Sequence, residues 1–292
     1  MKNKLSLFAV PYVGWMSIFV VAPIIIMVVY AFSTAAGDFT LENFARMGTY
    51  TAVFTRSFKL AIIATLIALL IGYPVSYMLS KEGPQVQRIA MVLIMLPMWM
   101  NFLLRTYSWM SILENNGLLN QLFQQIGLID LYNQIAMHFA SDPAAYVPID
   151  HFQMIGTQGA VVLGMVYNYL PFMILPIYSV LVKLDHSLIE AARDLGASSV
   201  QVFRKVILPL SLPGVLSGIT MVFVPSVSTF AISRLLGGGT QMMLGDLIEQ
   251  QFLGGAYNPQ LGAAIALVMM AIVVVCMLVM NRFGDGEEQA VM

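Results

Sequence analysis

The sequence predicts an all-α membrane protein with six transmembrane helices. Of its 292 residues, 59% are hydrophobic and 10% are charged, and the mean hydropathy is +0.82. A soluble globular domain carries roughly 25% charged residues, so this chain has too few polar groups to cover a surface in water. Six apolar stretches approach the roughly 20 residues that a helix needs to cross a bilayer core.

The predicted spans follow one another without a low-complexity linker, so residues 1–292 are expected to form one transmembrane domain. Their approximate limits are Leu7–Phe32, Leu60–Leu79, Ile89–Ile112, Ala160–Leu181, Pro213–Ile232 and Leu261–Met280. Membrane helices tolerate proline because neighbouring groups satisfy the carbonyls that it leaves free. We expect kinks at the prolines within the spans, which are Pro23, Pro74, Pro97, Pro171, Pro176 and Pro225.

The N-terminal segment has the charge pattern of a secretory signal but not its length. Lys2 and Lys4 precede an apolar stretch that runs from about Leu5 to Phe32, far beyond the roughly 7–15 residues of a signal core. We interpret it as an uncleaved first span. Cleavage after the small residues 34–36 is the alternative.

Lysine and arginine are distributed unevenly between the two sides of the membrane. With the N-terminus in the cytoplasm, nine of the fourteen lie inside and four lie outside, these four being Arg46, Arg56, Lys59 and Arg234. Cytoplasmic loops carry the excess of basic residues, so both termini are predicted to be cytoplasmic. Residues 113–159 lie between spans three and four, contain no Lys or Arg, and are predicted to form a long external loop.

Within this external loop, apolar residues at helical spacing predict a helix. Asn116 is a plausible N-cap for it, and Gly127 is expected to end it.

Several functional classes find no support in the sequence. A net charge of −1 without a clustered basic footprint argues against nucleic acid. The three histidines, His138, His151 and His186, show no metal-ligand spacing, and no nucleophile–base arrangement is visible, so neither a metal, a cofactor nor an enzyme is expected. The glycine run at 237–239 lacks the Lys-Ser/Thr of a phosphate loop.

The loop between spans four and five, residues 183–212, predicts a helix, a turn and a second helix on the cytoplasmic side. Asp185 or Ser187 can cap the first helix, and Gly196 suits the left-handed position after its last turn. One apolar stripe at helical spacing follows the first helix, formed by Leu188, Ala191, Ala192 and Leu195.

The second helix of this loop has its own start and stop signals. Ser198 and Gln201 have the spacing of a capping box. Pro209 and Pro213 are expected to end or kink the helix before span five.

The small residues Ala191 and Ala192 would let the first helix approach a partner surface closely, inside a rim of charged side chains. This pattern favours a knob that fits a groove on another protein. An ordinary amphipathic loop helix is the alternative.

The residues of this loop resemble the "EAA" signature of ABC importer permeases. Glu190-Ala191-Ala192 is followed by Gly196 and by Leu208-Pro209, where the family pattern ends in Ile-x-Leu-Pro and this chain has Val206 at the first position. The resemblance implies a type I permease fold and assigns contact with a separate ATPase to Glu190, Ala191, Ala192, Arg193, Asp194, Gly196, Leu208 and Pro209. It also implies a second permease subunit forming a heterodimer, an ATPase dimer, an extracytoplasmic binding protein, and a bacterial inner membrane.

Span three resembles the permeases of spermidine/putrescine importers. Pro97-x-Trp99-x-Asn101, followed by Arg105 and Tyr107, has their pattern, and the similarity weakens only at roughly His138–Gln158. The resemblance implies a polyamine substrate. ABC permeases for another small solute and a stand-alone secondary transporter are the alternatives; the latter would normally carry ionisable residues in mid-span, and this chain has essentially none there.

A polycation calls for aromatic faces and carboxylates along its path. The candidates are Trp99, Asn101, Tyr107, Tyr167, Asn168, Asp246 and Glu249. The two asparagines are expected to face the bundle interior, and the two acids to attract a cation at the outer mouth. Interfacial belt residues and solvated loop acids are the alternative interpretations, and Arg234 would oppose a cationic cargo.

Overall fold

A computed structural model describes residues 11–139 and 146–288, with side chains up to residue 280 and that of Arg282. The first four residues of the predicted first span and residues 140–145 of the predicted external loop lie outside this part. The described helices are α1 Pro11–Ala31, α2 Glu42–Arg46, α3 Thr51–Ser80, α4 Pro84–Trp99, α5 Phe102–Leu113, α6 Leu118–Gln125, α7 Leu128–Phe139, α8 Gln158–Leu181, α9 His186–Asp194, α10 Ser199–Val202, α11 Leu208–Ser228, α12 Ala231–Leu236, α13 Leu244–Leu253 and α14 Pro259–Glu288.

Five helical segments are long and apolar enough to cross a membrane. They contain α1, α3, α8, α11 and the Pro259–Met280 part of α14. The sixth predicted span is two helices, α4 and α5, which are bent by 91° at a short break. The predicted third span over Ile89–Ile112 is therefore a broken one, and the bend lies close to Pro97, where a kink was expected.

The break follows from the local sequence. Pro97 lies in the last turn of α4, and the two residues after Trp99 adopt extended backbone, with ψ of 149° at Met100 and 129° at Asn101. Asn101 then caps α5, because its Oδ1 accepts from the backbone N–H groups of Leu103 and Leu104 at 2.8 and 3.3 Å. A proline followed by a capping asparagine thus ends one helix and starts another.

The other prolines lie inside helices that continue through them. Pro74 is within α3, Pro171 and Pro176 are within α8, and Pro213 and Pro225 are within α11. The fifth span ends at Ser228, so its predicted last residue, Ile232, belongs to the separate helix α12.

The core forms where α3, α8 and α11 pack against one another. Gly214 on α11 lies so close to α8 that a Cβ atom there would approach the Pro176 carbonyl oxygen to 2.8 Å. Ser76 on α3 bonds across to the Ile174 carbonyl oxygen on α8 at 3.1 Å. Small residues at helix crossings permit this backbone approach in membrane bundles, and Met173 and Ile177 fill the space between.

Short helices cover the end of the bundle opposite α9. The helix predicted in the loop 113–159 is α6, and the described part of the loop contains a second helix, α7. The N-cap of α6 is Gly117, so the predicted N-cap Asn116 is wrong. Gly127 does separate the two helices, with a left-handed φ of +71°. α12 and α13 lie between α11 and α14 at the same end, which we call the α12 end.

Candidate functional site

The predicted helix–turn–helix of residues 183–212 is present, and its first helix is α9. The Ser187 backbone N–H donates to Asp185 Oδ1 at 2.9 Å, so Asp185 is the N-cap. This bond, assisted by the Ser187 hydroxyl, holds the pKa of the exposed Asp185 carboxyl below its usual value. The negative charge of this carboxylate in turn interacts favourably with the positive end of the helix dipole.

The end of α9 is a Schellman turn. Gly196 has a φ of +81°, its N–H bonds the Arg193 carbonyl oxygen at 2.8 Å, and the Ala197 N–H bonds that of Ala192 at 3.1 Å. Glycine adopts this left-handed position without the cost that a Cβ atom imposes. The predicted role of Gly196 in the turn is confirmed.

The second helix begins with the predicted capping box, in which Ser198 and Gln201 exchange side-chain and backbone bonds. Of the two outcomes expected at Pro209, an end or a kink of the helix, the end is wrong. A π-helical turn at Phe203–Ile207 joins α10 to α11, so the helix runs on through Pro209. The wider turn lets the chain pass the proline, which has no N–H to donate.

The apolar stripe of α9 divides between two faces. Leu188 and Leu195 are 48% and 89% exposed, and Ala191 is also exposed. Ala192 instead turns inward with Ile189 and packs against the bundle. Three apolar side chains of the predicted stripe therefore lie uncovered on one side of α9, and the stripe as predicted, with Ala192 included, is wrong.

The charged residues of the motif lie beside this uncovered face, apart from Arg193, which lies on the side of α9 that carries Ile189. Glu190, Arg193, Asp194 and Gly196 are exposed, whereas Leu208 is at the border of exposure and Pro209 is half-buried at the start of α11. An exposed apolar strip rimmed by charges is the pattern of a protein contact surface.

Trp99 and Asn101 lie at the break between α4 and α5. The Trp99 side chain is 75% exposed, and Asn101 is exposed with its Oδ1 occupied as a helix cap. The expectation that Asn101 faces the interior of this bundle is wrong, because capping α5 fixes its side chain at the break.

Asn168 does lie in the core, only 2% exposed. Its Nδ2 donates to the Gly164 carbonyl oxygen at 2.8 Å, and its Oδ1 has no partner among the described residues. Tyr167 is half-buried and packs edge-on against Trp109, with 5.3 Å between the ring centres. Tyr107 is 47% exposed. The candidate pathway residues are therefore split between an exposed break and a buried core.

The two candidate acids join Arg234 in one cluster at the α12 end. Arg234 donates two bonds to Glu249, at 3.1 and 2.5 Å, and its Nε lies 3.9 Å from Asp246 Oδ1. Asp246 is 4% exposed, and its Oδ2 accepts from the Ser233 hydroxyl at 2.5 Å and from the Met243 N–H at 3.0 Å. Asp246 is thus a buried helix-capping residue, and the interpretation as a solvated loop acid is wrong for it.

Burial raises the pKa of the Asp246 carboxyl above its usual value. The bonds from Ser233 and Met243 and the nearby Arg234 charge oppose this rise only in part, and Glu249 adds to it. Arg234, which was expected from the sequence to oppose a cationic cargo, faces two carboxyl groups.

The burial of Arg105 and the role of Ser233 escaped the sequence reasoning. Arg105 is 8% exposed, and its Nε and Nη1 have no partner among the described residues. A charged residue inside an apolar helix is itself a signal of an interior position. Ser233 gave no such signal, because its partner Asp246 is 13 residues away in a separate helix.

Comparison with known proteins identifies the family. Residues 68–286 match the family model described as "Binding-protein-dependent transport system inner membrane component". The "Spermidine/putrescine transport system permease protein PotB" of Escherichia coli (strain K12) is 35% identical over 94% of this chain and 95% of its own length. Proteins of the same name from Haemophilus influenzae and Salmonella typhimurium (strain SL1344) are 35% and 34% identical, over 94% of this chain and 93% and 91% of their own lengths.

Solved structures share the fold. A chain of a bacterial ABC transporter involved in the import of the acidic polysaccharide alginate matches with a TM-score of 0.76 and 16% identity, covering 97% of this chain and 96% of its own. A chain of the MetNI methionine ABC transporter matches with a TM-score of 0.54 and 19% identity, covering 85% of this chain and 98% of its own.

These matches confirm the predicted all-α permease fold of ABC importers and the resemblance that the α9 loop and span three suggested. They also make the chain a multi-pass membrane component with no catalytic role of its own. The protein belongs to the family of binding-protein-dependent transport system inner membrane components.

Proposed function

We propose that this protein is one of two different permease subunits of an ATP-driven polyamine importer in a bacterial inner membrane. In this proposal the residues of the 183–212 loop receive the motion of a cytoplasmic ATPase dimer. An extracytoplasmic binding protein delivers the substrate at the α12 end, and both termini are cytoplasmic. Residues 1–292 act as a single transmembrane domain.

The uncovered face of α9 is the observation that carries the coupling part of the proposal. Leu188, Ala191 and Leu195 are exposed, and no residue of the described part of the bundle covers them. Capping at Asp185 and the turn at Gly196 hold the helix rigid at both ends. A rigid helix with an apolar face suits a groove on a partner, where apolar burial contributes roughly 25 cal/mol per Å².

The opposite face of α9 supports transmission into the membrane. Ile189 and Ala192 pack against the cluster that contains Met173, Ile177 and Val215 of the core helices. A push on α9 would therefore be passed directly to α8 and α11.

The substrate class rests on three relatives and on the site chemistry. The relatives named above are called spermidine/putrescine permeases and align over nearly the whole chain. Exposed Trp99 and Tyr107 offer ring faces to an ammonium group. Because Glu249 and Asp246 surround Arg234, this arginine presents less repulsion to a cation than its sequence position implies.

The test is ATP-dependent uptake of labelled spermidine and putrescine by a polyamine-starved strain that expresses the complete importer. We expect wild-type uptake to be lost when Leu195 is replaced by Asp, because a carboxylate on the uncovered face would be desolvated on docking. Val200→Asp is the matched control, since Val200 is a 66% exposed apolar residue of the same loop outside the stripe.

The outcomes separate the two parts of the proposal. Uptake in Leu195→Asp equal to that in Val200→Asp would overturn docking through α9. A complex that shows normal ATPase stimulation but moves neither polyamine would overturn the substrate class and favour another small solute.

A further inference from the structure

A cavity of about 300 Å³ lies between α9 and the end of α3. Its walls come from the α3 terminus, from the start of the 183–212 loop, and from the inner side of α9. The lining residues are Tyr77, Ser80, Lys81, Leu181, Leu184, His186, Ile189, Arg193 and Ile207. The uncovered docking face of α9 takes no part in it.

Three basic side chains line this cavity, and no carboxylate does. Lys81, His186 and Arg193 approach from two different elements. None of the three forms a salt bridge within residues 11–139 and 146–288. A concentration of unpaired donors in one concave site is complementary to an anion.

The phase of α9 explains why the cavity and the docking face are separate. His186, Ile189 and Arg193 recur at i, i+3 and i+7, so they lie on one side of the helix. Leu188 and Leu195 lie on another side and are exposed. The same short helix can therefore hold an anion on one side and a protein on the other.

The position and lining of the cavity indicate the kind of anion. It lies at the ends of α3 and α8, both of which are long enough to span the membrane. Leu181 and Ile207 give it a buried apolar floor, and the Ser80 hydroxyl adds a polar group at the rim. Lys81 Nζ is held 3.8 Å above the centre of the Tyr77 ring, which also lines the cavity. Basic pockets between helix ends on the cytoplasmic side suit lipid headgroups.

We propose that this cavity is a phosphate-binding site that links α9 to the end of α3. The phosphate would be that of an anionic phospholipid headgroup or of a small soluble phosphate compound. Guanidinium and ammonium groups on opposite walls would each donate charge-assisted hydrogen bonds to it. A cationic cargo is excluded from such a site by its three basic groups. The proposal depends neither on polyamine transport nor on docking of an ATPase.

The test measures how fast the Lys81 amine reacts with an amine-directed acylating reagent in the assembled transporter. Nanodiscs contain phosphatidylcholine alone, phosphatidylcholine with phosphatidylglycerol, or phosphatidylcholine with added inorganic phosphate. Lys183 is the internal control, because it is exposed and close by but does not line the cavity. We expect one of the two phosphate sources to slow the acylation of Lys81 relative to that of Lys183 by about tenfold, the effect of one charge-assisted hydrogen bond.

Two substitutions identify the site. Arg193→Gln should abolish the protection of Lys81, whereas Arg88→Gln, which removes an exposed guanidinium outside the cavity, should leave it intact. Protection by phosphatidylglycerol alone identifies a lipid headgroup, and protection by inorganic phosphate in phosphatidylcholine identifies a soluble phosphate. A Lys81 to Lys183 ratio that neither source changes, or equal protection in the two variants, would overturn the proposal.

Discussion

At the scale of single residues, the buried Asp246 carboxyl at the α12 end lacks a full set of hydrogen bonds within the part of the chain that the structure describes. Asp246 receives two hydrogen bonds on Oδ2, while its Oδ1 is buried without a hydrogen-bond partner among the described residues. The bond from Ser233 joins α12 to α13, and the bond from Met243 caps the start of α13. The carboxyl therefore has a structural role, and its ionised form is disfavoured by burial.

Because its pKa is raised by burial, Asp246 makes the stability of the protein depend on pH. The folded state binds this proton more tightly than the unfolded state, so its contribution to stability rises as pH falls through the raised pKa. It levels off below the unfolded value. As pH is lowered from neutral to about 4, we expect the unfolding temperature of the wild type to rise relative to that of Asp246→Asn.

Thermal unfolding in detergent at several pH values checks this expectation. Asp38→Asn removes an exposed carboxylate from the segment before α2 and controls for the change in net charge. Parallel pH profiles for the wild type and Asp246→Asn would show that the buried carboxyl does not titrate differently on folding.

At the scale of elements, close helix crossings and short turns determine how force can pass through the bundle. The crossing of α8 and α11 depends on Gly214, where a methyl group would lie 2.8 Å from the Pro176 carbonyl oxygen and 3.1 Å from the Ile177 Cα. Both are backbone atoms, so they cannot move aside as a flexible side chain could.

We expect Gly214→Ala to lower the free energy of unfolding by about 1–3 kcal/mol, the usual cost of overpacking. Gly14→Ala in α1 is the matched control, because nothing lies within 4 Å of its Cβ position; alanine there should be neutral or slightly stabilising. Thermal or denaturant unfolding measures both. Equal effects of the two substitutions would contradict the close crossing.

The turn after α9 provides a second prediction at this scale. Gly196→Ala places a Cβ atom on a residue with φ +81°, which costs roughly 1–2 kcal/mol. We expect faster amide hydrogen exchange over residues 191–197 and weaker ATPase coupling, with the protein still inserted in the membrane. Gly255→Ala, at an open position, should exchange like the wild type, and unchanged exchange in Gly196→Ala would argue against a strained turn.

At the scale of the whole molecule, the bundle presents the candidate pathway residues of the break between α4 and α5 at its outside. Trp99 is 75% exposed, and α4 contributes no buried residue to the core. A path that uses the break between α4 and α5 therefore needs a second chain to enclose it.

We expect this protein to transport nothing when it is the only permease expressed with the ATPase and the binding protein, and to transport when a second, different permease is added. Uptake assays with native mass spectrometry of the purified complex check both states. ATP-driven uptake by a complex with two copies of this chain would contradict the proposed heterodimer.

The sequence was sufficient for the features that local chemistry determines. Apolar length gave the spans, and the caps at Asp185 and Ser198 and the turn at Gly196 were recognisable because each is a short-range signal. A kink at Pro97 was expected, but the start of a new helix at Asn101 was not, since an apolar run of sufficient length hides a capping residue within it. The pairing of Arg234 with Glu249 is a tertiary contact between helices that no local pattern encodes.

The π-helical turn at Phe203–Ile207 has a consequence for insertions and deletions. A π turn accommodates one residue more than an α turn, and each residue of an α-helix advances the helix by about 100°. Deleting one residue here would let a regular α-helix form while the segments on either side keep nearly their present phase, whereas a deletion in the regular part of α11 would rotate everything before it, including α9, by about 100°. Homologues that lose one position at this turn should therefore still present the same side of their loop helix, whereas a loss elsewhere in the helix would turn a different side outward even where every residue of the motif is kept.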